Sequence, residues 1–586
     1  MNLFKQIFSS KRKIVYFLIT ITFLVYSLSL VNGFVWDDEE QVVNNVSVHS
    51  LRNIPQHFLG STFHTGGAGG SSGIYYKPLM STSFTILHTI GAGKPFYFHL
   101  FQLVLHVANV VMIFLLFSEI FKKDQLAAVL ALIFAIHPFN VESVVYVSAL
   151  QDVQFLFFGL MSLLLLIYRR YLLKINHIYV SAVLILASML SKETGSLFLL
   201  IYPLFLITFY PEFFKKNWQK LFLSLFSVLA TYLLLRLVLA QVHVGTQGLS
   251  PITRASKLVI LITAPKIIFF YLSTFLWPKH LLIAQHWLVE EISWSEFYWP
   301  LAVVLIFLTI ILFLLQKFYR EKQVTLFKQA LFFALAFLIG ISLHLHIIPL
   351  DMTVADRWFY LPMIFLLGLL GVLFLLFNFA KWKSIYQKLF FLFISIVFLL
   401  VSYKTVIRIT QWKDGLTLFA HDIQYVKNSF DLENNYGTEL ARIDENDLAM
   451  EHFSRSVELL PDWWTNWNNM GVIYQRQGSV AEARRHYEQS IKNGYYHMAY
   501  ENLAALLLIH YELEEAHQFL REAVKVYPYN YKIRSYLAIA EYELGNQIEA
   551  LKQANYAYQL VPSADSAILL ETIKSKEELP NFRKSE

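Results

Sequence analysis

Long apolar runs alternate with short polar stretches through the first two-thirds of the chain. About eleven runs read as membrane spans, near 14–30, 98–117, 126–136, 153–172, 178–190, 196–210, 221–239, 301–315, 331–345, 359–377 and 389–401. Several fall short of the ~20 residues a lone helix needs to cross, and such short segments are tolerable among other helices. A twelfth run, Leu258 to Trp277, is ambiguous. Basic clusters fall between the runs: the N-terminus, Lys122 and Lys123, Arg169, Arg170 and Lys174, and Lys215, Lys216 and Lys220. Others are Lys317, Arg320, Lys322 and Lys328, then Lys381, Lys383 and Lys388. If all are cytoplasmic, the N-terminus is inside and everything after residue 401 is outside. Residues 240–300 then begin and end outside. The 258–277 run becomes a re-entrant or interfacial helix, or two half-helices around Pro265.

The pattern changes after residue 405 to polar, helix-forming sequence with internal repeats. Ala449, Ala483, Ala516 and Ala550 recur in one register, each followed four residues later by Phe453, Tyr487, Leu520 or Ala554. Pro461, Pro528 and Pro562 close three of the units, and Trp467 and Gly471 take first-helix positions of the second. This is the tetratricopeptide pattern, in which paired helices stack into a solenoid with a concave groove. The expected fold is therefore all-α: a polytopic membrane helical bundle followed by a tetratricopeptide solenoid. The expected domains are 1–404 (with 33–95 as the first external loop), a linker at 405–429, about four repeats over 430–570, and a polar tail at 571–586.

Composition narrows the function. The chain of 586 residues is 56% hydrophobic and carries a net charge of only +6, placed in short loops. That placement argues for membrane orientation and against nucleic acid. With no cysteine, disulfides, thiol nucleophiles and thiolate metal sites are excluded. The first run follows a basic start without a small-residue cleavage site, so it reads as an anchor.

Polar groups concentrate in the external loops. Asp37 and Asp38 lie in Phe34-Val35-Trp36-Asp37-Asp38-Glu39-Glu40, just beyond the first span. A carboxylate fixed there can deprotonate a hydroxyl beside a lipid headgroup; the structural alternative is a helix cap. Glu142 follows the third span, Gln151-Asp152 opens the fourth, Lys192-Glu193 separates the fifth and sixth, and Arg357 precedes the tenth. Lys77 lies late in the first loop. The topology puts all of them on one side, where Lys77, Lys192 and Arg357 could hold phosphate oxygens or simply anchor at the interface. The glycine- and serine-rich stretch Thr65 to Gly73 reads as a hinge or lid, with a phosphate cradle as the sharper alternative. His344 and His346 point to different faces of a helix, which disfavours a metal pair. Arg236, inside an apolar run, reads either as a phosphate contact or as a snorkelling side chain.

The run FVWDDEEQVVNN, then YYKPL, HPFNVESV, SKETG and RWFYLP, resembles the transmembrane and tetratricopeptide-repeat O-mannosyltransferases and their bacterial relatives of the GT-C glycosyltransferase class. The resemblance covers nearly the whole chain. It implies a polyprenyl- or dolichyl-phosphate sugar donor, typically of mannose, and a protein hydroxyl as acceptor held through the repeats. It puts the catalytic carboxylate at Asp37-Asp38; the residues themselves suggest that Lys77, Lys192 and Arg357 bind the donor phosphate while Glu142 and Glu193 shape the substrate site. The residues require no cofactor, and no metal ligands are assigned. Asp37, Asp38, Glu39 and Glu40 could hold a divalent cation, but acid clusters are usually solvated, which argues against an obligatory metal and leaves metal dependence open. Lys77 stands where family members usually have Arg, and Ala149-Leu150-Gln151-Asp152 lacks their basic–acidic pair. The expected location is a bacterial cytoplasmic membrane with the repeats on the outer, periplasmic side. The competing reading is a non-catalytic membrane scaffold whose repeats recruit envelope proteins. In that case the acidic and basic loops would be scattered.

Overall fold

The computed structural model describes residues 9–62, 75–168, 175–243, 248–348, 350–377, 382–494 and 496–579. The glycine-rich stretch and the basic residues Arg169, Arg170, Lys174 and Lys381 lie outside the described residues. The chain forms two compact units: Met1–Asp38 with Tyr76–Leu239 and Val244–Lys427, and Glu39–Tyr75 with Ala240–His243 and Asn428–Glu586.

The first unit is helical. Its main helices are α1 (Lys11–Tyr26), α2 (Pro78–Gly91), α3 (Pro95–Phe121), α4 (Asp124–Ile136), α5 (Leu150–Tyr168), α6 (Ile175–Ser191) and α7 (Phe198–Phe209). They continue as α8 (Pro211–Leu233), α9 (Lys257–Leu276), α10 (Trp299–Arg320), α11 (Val324–Ser342), α12 (Tyr360–Leu375), α13 (Ser384–Gln411) and α14 (Gly415–Asp422). Among the described residues, 9 helices are long and apolar enough to cross a membrane. A further pair, Asp124–Ile136 with Pro138–Val145, is bent by 52°. Asn176–Ser191 and Glu193–Phe209 are shorter apolar helices. The protein is thus a multi-pass membrane protein. The ambiguous run is one continuous helix, α9, with Pro265 inside it, and not two half-helices.

The bundle has two distinct ends. At one, Lys11 lies 3.8 Å from Glu119 and 3.5 Å from Asp124, and the Gln329 amide donates to the Ile120 carbonyl at 2.6 Å. The basic loops thus gather the start of α1, the α3–α4 turn and the start of α11. At the other end, the Asn32 amide donates to the Ile409 carbonyl at 3.1 Å and the Gly33 N–H to the Lys413 carbonyl at 2.9 Å. Each pair satisfies backbone groups where helices stop, which a buried helix end requires.

The second unit carries the repeats as α15 (Phe430–Arg442), α16 (Asn446–Leu459), α17 (Trp464–Arg476), α18 (Val480–Asn493), α19 (His497–Ile509), α20 (Leu513–Val526), α21 (Tyr531–Glu543), α22 (Gln547–Leu560) and α23 (Ala564–Ser575). The four register alanines are fully buried. A β-carbon on Gly437 would lie 2.8 Å from the Phe453 ring, and one on Gly471 2.6 Å from the Tyr487 ring. Glycine lets the two helices of a pair close onto the aromatic residue. Trp463 packs edge-on to Phe430 at 5.0 Å, and the Trp467 indole donates to the Pro461 carbonyl at 2.8 Å. Trp463 and Trp467 therefore serve packing within and between repeats. Residues Glu39–Tyr75 belong to this unit, where Glu39 lies 3.5 Å from Arg442.

Candidate active site

The site begins where α1 ends. Trp36 has a left-handed backbone (φ +60°), an uncommon conformation for a bulky residue. It is held by its ring, which stacks on Tyr146 at 5.5 Å and 17°. This turn aims the next two side chains in different directions. Asp38 points inward and is buried. Its Oδ1 accepts from the Ser148 N–H at 2.7 Å and the Ser148 hydroxyl at 2.6 Å, and its Oδ2 accepts from the Val35 N–H at 3.0 Å. Burial still pushes its pKa up to about 7 against those bonds. Asp37 is only half-buried. The Tyr146 hydroxyl approaches it without a well-aligned hydrogen bond. Burial among these groups raises the Asp37 pKa, and Tyr146, Arg357 and Lys77 oppose the rise.

Two buried cations, Arg357 and Lys77, act on this carboxylate, and a third, Lys192, lies beside Lys77. The Arg357 guanidinium pairs with Glu142, whose other oxygen accepts the Arg357 N–H at 3.0 Å. Its carbon lies 6.0 Å from both the Trp36 and the Tyr146 ring centres. Lys192 bonds Asp152 at 2.5 Å. The other oxygen of Asp152 is buried without a hydrogen-bond partner. Lys77, also buried, senses Glu193, Lys192, Asp351, Asp152 and Asp37, and burial lowers its pKa. Glu193 accepts the Tyr76 N–H at 2.8 Å and lies 3.4 Å from Arg236, which the Tyr232 hydroxyl also holds at 3.1 Å. A cation fixed by a buried carboxylate keeps spare N–H donors in a set direction, which suits it to a second anion.

The structure thus brings Asp37, Asp38, Lys77, Glu142, Lys192, Glu193 and Arg357 into one cluster at one end of the bundle. Arg236 joins it through Glu193 and not as a snorkelling side chain. Sequence reasoning passed over Tyr146, Ser148 and Asp351. The first two sit between Glu142 and Asp152, in a bent segment that spacing alone reads as apolar filler. His344 stacks on Trp358 at 5.2 Å, while His346 bonds the Thr353 carbonyl at 2.8 Å, so the two do separate work.

Together the two units define an all-α multi-pass membrane protein joined to tetratricopeptide repeats, and the family "Tetratricopeptide repeat" matches residues 468–492 and 498–527. Over nearly its whole length the chain is a distant relative of the TMTC O-mannosyl-transferases. It is 24% identical to Protein O-mannosyl-transferase TMTC3 of Homo sapiens over 563 residues, 86% of this chain and 59% of that protein. With TMTC3 of Mus musculus it shares 25% over 570 residues, 87% of this chain and 60% of that one. A stretch of 132 residues, 22% of this chain and 14% of the other, is 33% identical to TMTC1 of Mus musculus. The chain thus spans 59–60% of the length of the two TMTC3 proteins. Among solved structures, the tetratricopeptide protein YrrB aligns with a TM-score of 0.24 at 18% identity, covering 28% of this chain and 85% of that one.

Proposed function

We propose that the protein is a membrane glycosyltransferase. It moves a hexose, mannose by analogy with its relatives' names, from a polyprenyl-phosphate donor to a protein hydroxyl at the outer face of the membrane. The observation that carries the reading is Asp37: a half-exposed carboxylate beside Arg357 and Lys77, with Lys192 next to Lys77, at one end of an apolar bundle. Asp38 has its oxygens committed to Ser148 and Val35, so its role is to position the turn. Asp37 is left to act as the base.

In the transfer, Asp37 takes the proton from the acceptor hydroxyl. The oxygen attacks the anomeric carbon on the face opposite the phosphate, and the bond from that carbon to the phosphate oxygen breaks. The electron pair leaves on the lipid phosphate, where the cations stabilise the charge that develops. Glu142 and Asp152 hold two of those cations. The basic loops, which gather at the opposite end of the bundle, support placing the site at the outer face. The repeats would then hold the polypeptide acceptor near the site and raise its local concentration. A scaffold would leave the loop residues scattered; their convergence favours the enzyme.

The test is transfer of labelled sugar from polyprenyl-phosphate donors in membranes. Asp37→Asn, expressed at the normal level, should reduce transfer by on the order of a thousandfold. Full transfer by that variant would sink the mechanism. Absence of transfer by the unaltered protein from every polyprenyl-phosphate hexose would favour the scaffold.

A further inference from the structure

The connectivity of the bundle sets a constraint on α9. Glu193 and Asp356 both lie at the site end, since Glu193 binds Tyr76 and the neighbouring Arg357 binds Glu142. Five apolar helices separate them: α7, α8, α9, α10 and α11. A chain that leaves one face and returns to it crosses an even number of times.

Four of the five run from end to end. From Glu193, α7 descends until Phe209 packs on Phe332 at 5.2 Å, beside Phe333, which stacks on Phe121 at the end of α3. After Lys215, Lys216 and Lys220, α8 and its extension rise to Arg236 at Glu193. From Gln329 at the basic end, α11 runs to His344 beside Trp358. Across a tight turn α10 packs on α11, with Phe307 5.6 Å from Phe337. That leaves α9.

Its contacts agree. The Tyr271 hydroxyl donates to the Ala355 carbonyl at 3.3 Å, and the Phe275 carbonyl meets His137 at 2.9 Å. Nearer the start of the helix, Thr263 accepts the Val289 N–H at 3.1 Å, and Lys266 lies 4.6 Å from the Trp287 ring centre. The Trp287 carbonyl in turn accepts from Thr353 at 2.7 Å. So ~18 Å of helix, from Thr263 to Phe275, rests on backbone of the site end. The segment 277–293 beside it has no helix, and unprotected non-helical backbone does not enter the hydrocarbon core. Thr263, Ile267, Tyr271 and Thr274 form the buried face, while Leu258, Leu261, Leu276 and Trp277 are 67%, 69%, 75% and 76% exposed.

We infer that α9 lies along the bilayer surface at the site end, with lipid as the partner of its exposed apolar residues. Lys257 and Lys279, at its two ends, meet the headgroups. Its buried side packs on Phe139 and Phe359, immediately behind Glu142 and Arg357, so α9 and this aromatic layer stand between that lipid and the charged cluster.

The chain has no cysteine, so single-cysteine variants of the full protein report one position each. A membrane-impermeant maleimide should label Ser256→Cys and Lys279→Cys from the same side as Lys413→Cys, and from the side opposite Lys322→Cys. Mid-helix, an environment-sensitive fluorophore on Ile268→Cys should be quenched more by shallow than by deep spin-labelled lipid. Labelling of the two flanks from opposite sides, of both from the Lys322 side, or of neither before detergent would overturn the inference. So would stronger quenching of Ile268→Cys by deep label. None of these outcomes depends on whether the protein transfers sugar.

Discussion

Ser148 donates both its N–H, at 2.7 Å, and its hydroxyl, at 2.6 Å, to the same oxygen of Asp38, 110 residues earlier in the chain. With the Val35 bond to the other oxygen, this pins the turn that presents Asp37. Ser148→Ala removes one hydrogen bond to a charged group, on the order of 1–3 kcal/mol. The variant should lose thermal stability in detergent and about tenfold in transfer, with donor KM little changed. Asp38→Asn should be worse. An amide has one acceptor oxygen, so whichever way it turns, an N–H meets an NH2. Equal effects of the two substitutions on stability would contradict this account of Asp38.

The pH dependence follows from the two aspartates. With Asp37 as the proposed base, transfer needs it ionised, so the rate should fall as pH drops through the raised Asp37 pKa. Lys77→Met removes a positive neighbour that favours the ionised form. The acid limb of the rate profile should therefore move to higher pH, while Lys216→Met at the other end leaves it in place. Asp38 adds an opposite trend in stability. Its pKa lies near 7 in the fold against an ordinary value of 3.8, so between those values the native state holds a proton that the unfolded chain has released. Stability from this group falls as pH rises through that window. The melting temperature of Asp38→Asn should lack that component of the pH dependence.

Arg357 and Glu142 are both buried, and breaking such a pair strands a charge at a cost of about 3–5 kcal/mol. Glu142→Ala should therefore be poorly folded. Arg357→Lys keeps the charge but loses the planar fork beside the stacked Trp36 and Tyr146 rings. It should fold and raise donor KM more than it lowers kcat. A normal KM with unaltered kcat would remove Arg357 from the donor site.

Much of this was legible in the chain because membrane helices and tetratricopeptide units both declare themselves by periodicity. Ala449, Ala483, Ala516 and Ala550 mark the repeats since only a small side chain fits where two helices cross. The candidate site residues were legible because charges are costly beside apolar runs, so Asp37, Lys192 and Arg357 stood out. Tyr146 and Ser148 were not, because an aromatic and a hydroxyl within Val144-Val145-Tyr146-Val147-Ser148 look like span and interface sequence. The proposed split of work between Asp37 and Asp38 was illegible too: it rests on the left-handed backbone at Trp36. Nor does hydropathy tell a crossing helix from α9, which is as apolar as its neighbours.

The repeats offer a test that separates acceptor handling from chemistry. At Gly471 any β-carbon would lie 2.6 Å from the Tyr487 ring, and Tyr487 is itself fully buried with its hydroxyl bonded to Gln475 at 2.7 Å. The ring cannot move aside cheaply, so Gly471→Val must push α17 away from α18. Overpacking of this kind costs ~1–3 kcal/mol, and in a stacked array the damage spreads chiefly to nearest neighbours. Hydrogen exchange on the full-length protein should show lost protection in α17, α18 and the helices flanking them, with the membrane unit unchanged. If the repeats hold the acceptor, transfer to protein should fall several-fold while transfer to a small free hydroxyl acceptor persists. Equal loss for both acceptors would mean that the array supports the membrane unit and does not present substrate. Loss for neither, with the exchange change confirmed, would remove the second repeat from acceptor binding.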